Sequence, residues 1–507
     1  MKLNYKRTIL VGFAFFLISA FWQAYDATIA LTLTNKFGMN QFWSGWIMAL
    51  DNILAVFMLP LFGSLSDKHK SKHGRRTPFI RFGTIIAAVA LVGLSFIDNA
   101  QLKALDAVST VDDPKALSAI YETQANTSLT TPDGQKFTLA ETFTEEEFTA
   151  INSKEDKDAY TNFVVPARQA YAANVTKANP VPLVLFIAVL LIILIAMATF
   201  RSPAVALMPD VTVKPLRSKA NAIINLMGTA GGILVLVLGI VFGTSSHLMS
   251  YTVFYGVLAL VMLGALAIFL TTVKEPEWAA QMRSDSIRYG IEEEQTEEEE
   301  ASRSLSKQEK ASLICILLSV ALWYIGYNAV TSKYSVYATN VLQKNYNTTM
   351  LIAQAAAIVA YLPAGIIASK LGRKKTILAG VIMLSTAFGA ASFIGPNSPT
   401  LVMNLLFIMA GIAWATINVN SFPMVVEMCS GANVGKYTGF YYTASMTAQI
   451  ITPVLSGAIM TATGNMKILF PYASIFAGLA FITMFLTKHG DAKVTAKKGL
   501  EALDIDD

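Results

Sequence analysis

The chain has 507 residues, of which 54% are hydrophobic and 14% charged, with a mean hydropathy of +0.50. Soluble domains carry roughly 25% charged residues, so an array of soluble domains is excluded. The net charge of +5 is placed as an orientation signal, and this removes the case for a nucleic-acid partner.

Apolar runs of about 20 residues, long enough to cross a ~30 Å hydrocarbon core, recur along the chain. They predict helices over 8–33, 43–63, 79–98, 181–209, 219–243 and 248–272. A second set follows over 310–331, 347–369, 375–395, 401–427, 436–461 and 468–487. The short basic start (Lys2, Lys6, Arg7) resembles that of a signal peptide, but the run behind it is too long, and we expect the first helix to be retained. The expected fold is an all-α integral membrane protein of twelve transmembrane helices in two six-helix bundles, 1–272 and 310–490.

Three segments stay outside the bilayer. An insertion over 99–180, rich in Asp, Glu, Thr and Ala, separates helices 3 and 4. It reads as a small surface domain without chemistry, with short helices near Phe143–Asn152, the alternatives being a cap over the outer mouth or a partner-binding surface. An acidic linker over 273–309, carrying Glu292–Glu294 and Glu297–Glu300, joins the bundles, and 491–507 forms a tail. Cys315 and Cys429 lie in or beside apolar runs with no metal-binding spacing, so neither a metal site nor a disulfide framework is expected.

Lys and Arg in short loops set orientation. One side carries Lys68, Lys70, Lys72, Arg75 and Arg76, then Lys214, Arg217 and Lys219, then Lys370, Arg373, Lys374 and Lys375, then Lys436. The opposite loops carry Lys36, Lys333, Lys344 and Lys467 singly. Both termini and the linker therefore fall on the basic, cytoplasmic side of a cell membrane.

The halves repeat. Helix 1 reads Phe21-Trp22-Gln23-Ala24-Tyr25-Asp26-Ala27, and helix 7 reads Trp323-Tyr324-Ile325-Gly326-Tyr327-Asn328-Ala329. Gly63…Asp67-Lys68…Gly74-Arg75-Arg76 follows helix 2, and Gly365…Lys370-Leu371-Gly372-Arg373-Lys374-Lys375 follows helix 8. Helix 4 ends in Asp210 with Arg217 beyond, and helix 10 ends in Glu427 with Lys436 beyond. Three cues in register indicate a parallel duplication.

At these residues the chain resembles the major facilitator superfamily over nearly its whole length except the insertion. More narrowly, Ser66-Asp67…Ser71-Lys72-His73-Gly74-Arg75-Arg76-Thr77-Pro78-Phe79-Ile80 is similar to the loop of plant sucrose–proton symporters. It is also similar to that of their bacterial cousins, the glycoside–pentoside–hexuronide cation symporters. Arg201-Ser202-Pro203 through Pro209-Asp210 fits the same group. The resemblance implies a carrier working as a single chain by alternating access. Where melibiose carriers of this group hold sodium with two helix 2 aspartates, this chain has Ala55 and Leu59. Arg201 replaces their sugar-binding helix 4 aspartate, and Asn225 their helix 5 arginine, while Asp26 matches the first-helix sugar aspartate. Sodium coupling is therefore disfavoured and proton symport expected.

Charge inside the bilayer costs about 2.5–3.5 kcal/mol on insertion scales and marks function. Asp26, Asp51 and Arg201 are the cases, with Asp26–Arg201 the expected pair. Sugar binding combines aromatic faces with polar anchors. The candidates are Trp22, Tyr25, Asp26, Asp51, Arg201, Asn221, Asn225, Trp323, Tyr327, Asn328, Trp414 and Asn418, with Tyr324, Gln354, Tyr441 and Gln449 behind them. Proton coupling is expected of Asp26, Asp51 and, by resemblance to the sucrose symporters, Asp210. The expected cytoplasmic gate is Asp67, Arg75, Arg76, Asp210, Arg217 and Glu427, with acids and arginines parting as the inner mouth opens. No Walker loop, Rossmann glycine pattern, HExxH or serine elbow stands in a convincing context, so neither an enzyme nor a cofactor is expected. The competing expectation is export of a drug or organic ion, or lipid transport.

Overall fold

The structure, a computed structural model, describes residues 3–110, 112–213, 216–288, 306–426, 428 and 434–489. Among the described residues, twelve helices are long and apolar enough to cross a membrane. They are α1 (Tyr5–Leu31), α2 (Gln41–Lys68), α3 (Thr77–Ala104), α4 (Val181–Val211), α5 (Arg217–Phe242) and α6 (Thr252–Thr272). The second half supplies α7 (Lys307–Asn340), α8 (Tyr346–Leu371), α9 (Arg373–Ala391), α10 (Thr400–Val426), α11 (Val434–Thr463) and α12 (Leu469–Leu486). Several starts are set by side-chain caps. Asn40 accepts from the Trp43 amide, and Ser306 with Glu309 forms a capping box ahead of α7.

Several helices outrun their expected ends, among them α2 through Lys68 and α3 through Ala104, and two of the extensions are polar and buried. α7 continues through Asn340 rather than stopping near 331, and Ser332–Asn340 are all buried. α1 continues as a π-helical turn, Thr32–Lys36, buried throughout. Both stretches are polar and look like loop in sequence. They stay helical because their side chains find partners inside the protein. Lys36 pairs with Asp98 at 2.5 Å, with both side chains almost fully buried, and Asn35 and Asn340 exchange amide hydrogen bonds.

The packing repeats as the motifs do. In the first bundle α1 packs on α5 and α6, α3 on α4 and α6, and α2 on α4. In the second, α7 packs on α11 and α12, α9 on α10 and α12, and α8 on α10. Two equivalent seams join the bundles, α2 against α11 and α5 against α8.

Among the described residues, the closest approaches along the α2–α11 seam lie at the end bearing the insertion. A Cβ on Gly45 would lie 2.1 Å from the Pro453 carbonyl oxygen, and one on Gly457 would lie 2.2 Å from that of Gln41. Only glycine allows the two backbones so close. Nearby, the Lys333 ammonium donates to the Gln41 carbonyl, the Phe42 amide to Thr461, and the Ser335 hydroxyl to the Asp26 carbonyl. At the other end α2 has lost its partner, for between Val56 and Lys68 only Ser66 is buried. The bundles are therefore shut at the insertion face and parted at the basic face.

The insertion is a folded unit, not a loop. Helices Pro114–Gln124, Glu145–Thr149 and Val165–Ala178 and a hairpin of β1 (Leu129–Thr130) with β2 (Lys136–Phe137) surround a core of their own. Thr144 and Glu147 form a capping box within the stretch expected to be helical, and those contacts hold the Glu147 carboxyl below its usual range. The start of the linker is helical too, Glu275–Arg288, with Glu275 and Trp278 buried against the first bundle rather than solvated.

Candidate functional site

Two adjoining cavities of about 520 and 280 Å³ lie between the bundles, and Trp22, Asp26, Arg201 and Thr331 line both. α1 supplies Ser19, Trp22, Gln23 and Asp26, whose spacing puts them on one helical face. Across from them α7 and α10 build an aromatic wall. Tyr327 and Trp414 stack at 3.6 Å with planes 7° apart, and Tyr324 meets Trp414 edge-on at 5.2 Å.

The charges are arranged differently from the expected pair. Asp26 lines both cavities and Asp51 the smaller one, and the two carboxylates are electrostatic neighbours. The Arg201 guanidinium sits 5.6 Å from the Trp22 ring centroid and acts on Asp51. No ion pair joins Asp26 to Arg201 among the described residues. Asn52 donates to Asp51 at 2.8 Å, and Gln354 donates to Gln23 across the bundles at 2.6 Å. Two donors at the cavity wall, Trp22 Nε1 and Asn328 Nδ2, have no hydrogen-bond partner among the described residues. The larger cavity offers a carboxylate, a guanidinium, amides and a flat aromatic face, and the adjoining one adds a second carboxylate.

Of the candidate binding residues, Trp22, Asp26, Asp51, Arg201, Asn225, Tyr327, Asn328, Trp414 and Asn418 line these cavities, as do Gln354 and Gln449. Tyr25, Asn221 and Trp323 do not. Tyr25 is buried on the flank of α1, its hydroxyl 3.4 Å from the Ile47 carbonyl, and lines a small apolar void instead. Trp323 is wholly enclosed in the core of the second bundle. The repeat register accounts for Trp323 alone, since Tyr25 aligns with the cavity-lining Tyr327. Trp323 aligns with Phe21, also a core residue, and the counterpart of Trp22 is Tyr324. Asn221 is buried nearer the basic face. Sequence reasoning missed Gln23, Ser19, Thr331 and Tyr361, which line the larger cavity. Gln23 and Ser19 lie three and seven residues before Asp26, so helical spacing alone could have found them.

The basic-face cluster is intact. Asp210 takes Arg75 at 2.5 Å and Arg76 at 2.8 Å, and Asp67 takes Arg76 at 2.5 Å. The hydrogen bond from Arg75 to Asp210 pushes the arginine further above its ordinary range. These pairs are formed at the basic face. All of them lie within one bundle, so bundle separation does not pull on them. Arg217 does not join Asp210; its guanidinium donates to the Thr212 and Pro209 carbonyls. Glu427 lies outside the described residues. Unforeseen in sequence, buried Glu275 accepts from the amides of Arg75, Arg76 and Thr77 and from the Thr77 hydroxyl, capping α3. Gly74, at φ +103°, leaves room for it.

Residues 339–503 match a profile described as Major Facilitator Superfamily, and residues 10–104 match one described as MFS/sugar transport protein. The chain belongs to the major facilitator superfamily. Its fold is shared with the xylose transporter XylE from E. coli in an inward-open conformation (TM-score 0.57, 15% identity, 99% of each chain covered). It is also shared with the nucleoside transporter NupG (TM-score 0.52, 15% identity, 94% of this chain and 98% of that one). The peptide transporter POT gives a TM-score of 0.56 at 10% identity, covering 95% of this chain and 93% of that one. A comparison with curated proteins returned no match. The protein is thus a multi-pass membrane transporter of this superfamily, not an enzyme.

Proposed function

We propose that the protein moves a sugar or glycoside across the cell membrane by proton-coupled symport. Its two bundles alternate access about the central cavities, with the basic face and both termini in the cytoplasm. One observation carries the reading. Asp26 and Arg201 share a cavity of about 520 Å³ with the Tyr327–Trp414 wall, and Asp51 lines the adjoining cavity of about 280 Å³ that Asp26 and Arg201 also border. Sugars present an apolar ring face and a rim of hydroxyls, which match the aromatic wall and the carboxylate and amide rim. Asp26 is the residue best placed both to bind hydroxyls and to carry the coupling proton. Among the described residues no ion pair joins Asp26 to a basic side chain, which leaves its charge to be neutralised by a proton or by cargo. Coupling at Asp210 has less support, because two arginines hold it in the basic-face cluster.

Two carboxylates against one guanidinium also suit an organic cation, and the same assay separates the readings. Purified protein in proteoliposomes is given labelled sucrose, melibiose, lactose or a lipophilic organic cation under an imposed pH gradient, with and without sodium. Sugar accumulation that needs the proton gradient and ignores sodium supports the proposal. Cation movement without any sugar movement replaces it.

A further inference from the structure

The insertion between α3 and α4 touches both bundles, but in two different chemistries. To the first bundle it is bound covalently and by packing. Leu248, from the α5–α6 loop, belongs to its apolar core, and a Cβ on Gly38 would sit 2.3 Å from the Ala173 amide nitrogen. Gln101 of α3 donates to Thr176 of the insertion at 3.1 Å, and Gln169 to Asn35 at 3.2 Å. No residue of the second bundle enters that core.

To the second bundle the insertion is joined by polar contacts on three separate loops. In the α7–α8 loop Gln343 donates to the Lys157 carbonyl at 3.0 Å and to Thr161 at 2.7 Å. In the α9–α10 loop Asn397 donates to Asp158 at 2.6 Å. In the α11–α12 loop the amides of Met466 and Lys467 share the Pro132 carbonyl, at 2.8 and 3.2 Å. Beneath this seam lies a cavity of about 240 Å³ lined by the insertion and both bundles, while at the α11–α12 loop the backbones meet closely, a Cβ on Gly134 lying 3.0 Å from the Thr463 carbonyl oxygen.

We propose that the insertion is a latch. It is carried rigidly by the first bundle and clips reversibly onto three loop tips of the second, holding the insertion face shut. An apolar core is costly to separate, whereas hydrogen bonds parted at a part-buried or exposed seam are replaced by bonds to water, so the seam that gives way on opening is the polar one. The latch sets how often the central cavity faces the insertion side, and weakening it shifts the resting population. The inference rests on alternating access and not on the identity of the solute, so its test uses no solute.

The test uses the full chain with Cys315 and Cys429 replaced by Ser and Thr331→Cys as a cavity reporter, labelled by an impermeant maleimide from either face. Gln343→Ala/Asn397→Ala should speed labelling from the insertion face about tenfold and slow it from the basic face. Asp158→Cys/Asn397→Cys, oxidised, should abolish labelling from the insertion face and keep it from the basic face, with recovery on reduction. Limited proteolysis matching the parent shows that the insertion remains folded in each variant. Failure of the cysteine pair to cross-link, or labelling unchanged in both variants, overturns the latch. Loss of sugar uptake in the parent protein leaves these labelling outcomes intact and counts only against the proposed cargo.

Discussion

Gly45 and Gly457 hold the two bundles together where the insertion face is closed, and enlarging either should push the carrier toward its other state. An added Cβ would meet a carbonyl oxygen at 2.1 Å from Gly45 and 2.2 Å from Gly457. Ordinary contact is about 3.4 Å, so α2 and α11 would have to part by roughly 1.3 Å at each site, against a close-packed interior. Overpacking of this kind costs about 1–3 kcal/mol, and a cost of about 2 kcal/mol moves a two-state population roughly 30-fold. The opposite state does not pay this cost if the seam opens there, so the strain acts on the equilibrium and not on the fold. Spin labels at Leu65→Cys on α2 and Leu371→Cys on α8, both exposed at the basic face, report the separation of the bundles. Gly457→Ala should add or enlarge a shorter-distance population, and Gly45→Ala/Gly457→Ala should make it dominant. Monodisperse double-variant protein with a distance distribution identical to the parent would refute the reasoning.

Other outcomes follow from buried charge. Asp98→Ala strands Lys36, which is 1% exposed, and should cost about 3–5 kcal/mol; thermal unfolding should show the loss, with partial rescue by Lys36→Met. Glu275→Ala removes four hydrogen bonds from the start of α3 and should destabilise that end by about 2–3 kcal/mol, read as faster amide exchange over 75–79. His247, beside Arg168 and bonded to Asn340, has its pKa pushed down to about 3, chiefly by burial. An undocked His247 takes up a proton near pH 6.5 that the docked one refuses. Docking should therefore be complete above that pH and weaken by at most about 1.4 kcal/mol per unit as pH falls toward 3. Protease sensitivity of the insertion measured from pH 7.5 to 4.5 should show this slope, and His247→Gln should flatten it.

The spans were legible because a bilayer imposes a length and an apolar composition that no other environment demands. The duplication was legible because α1 and α7 carry the same signature at the same depth. The polar ends of α1 and α7 were not, since Thr32–Lys36 and Ser332–Asn340 look like loop until the partners that bury them are known. In the site, residue type found Asp26, Asp51 and Arg201 but could not say which way an aromatic faces. Trp323 and Tyr25 have suitable chemistry, yet packing claims them. Glu275 was hidden because its role depends on three amides about 200 positions away in sequence. The insertion's contacts with the second bundle were invisible for the same reason.

The central claim is that the rare charges at mid-depth handle cargo and coupling. Asp26→Asn/Asp51→Asn/Arg201→Gln, reconstituted beside the parent and shown to be folded by its unfolding profile, tests it most directly through proton-driven uptake of the sugar the parent accumulates. The account predicts that accumulation falls to the level of empty liposomes. Uptake equal to the parent's in that variant would contradict it.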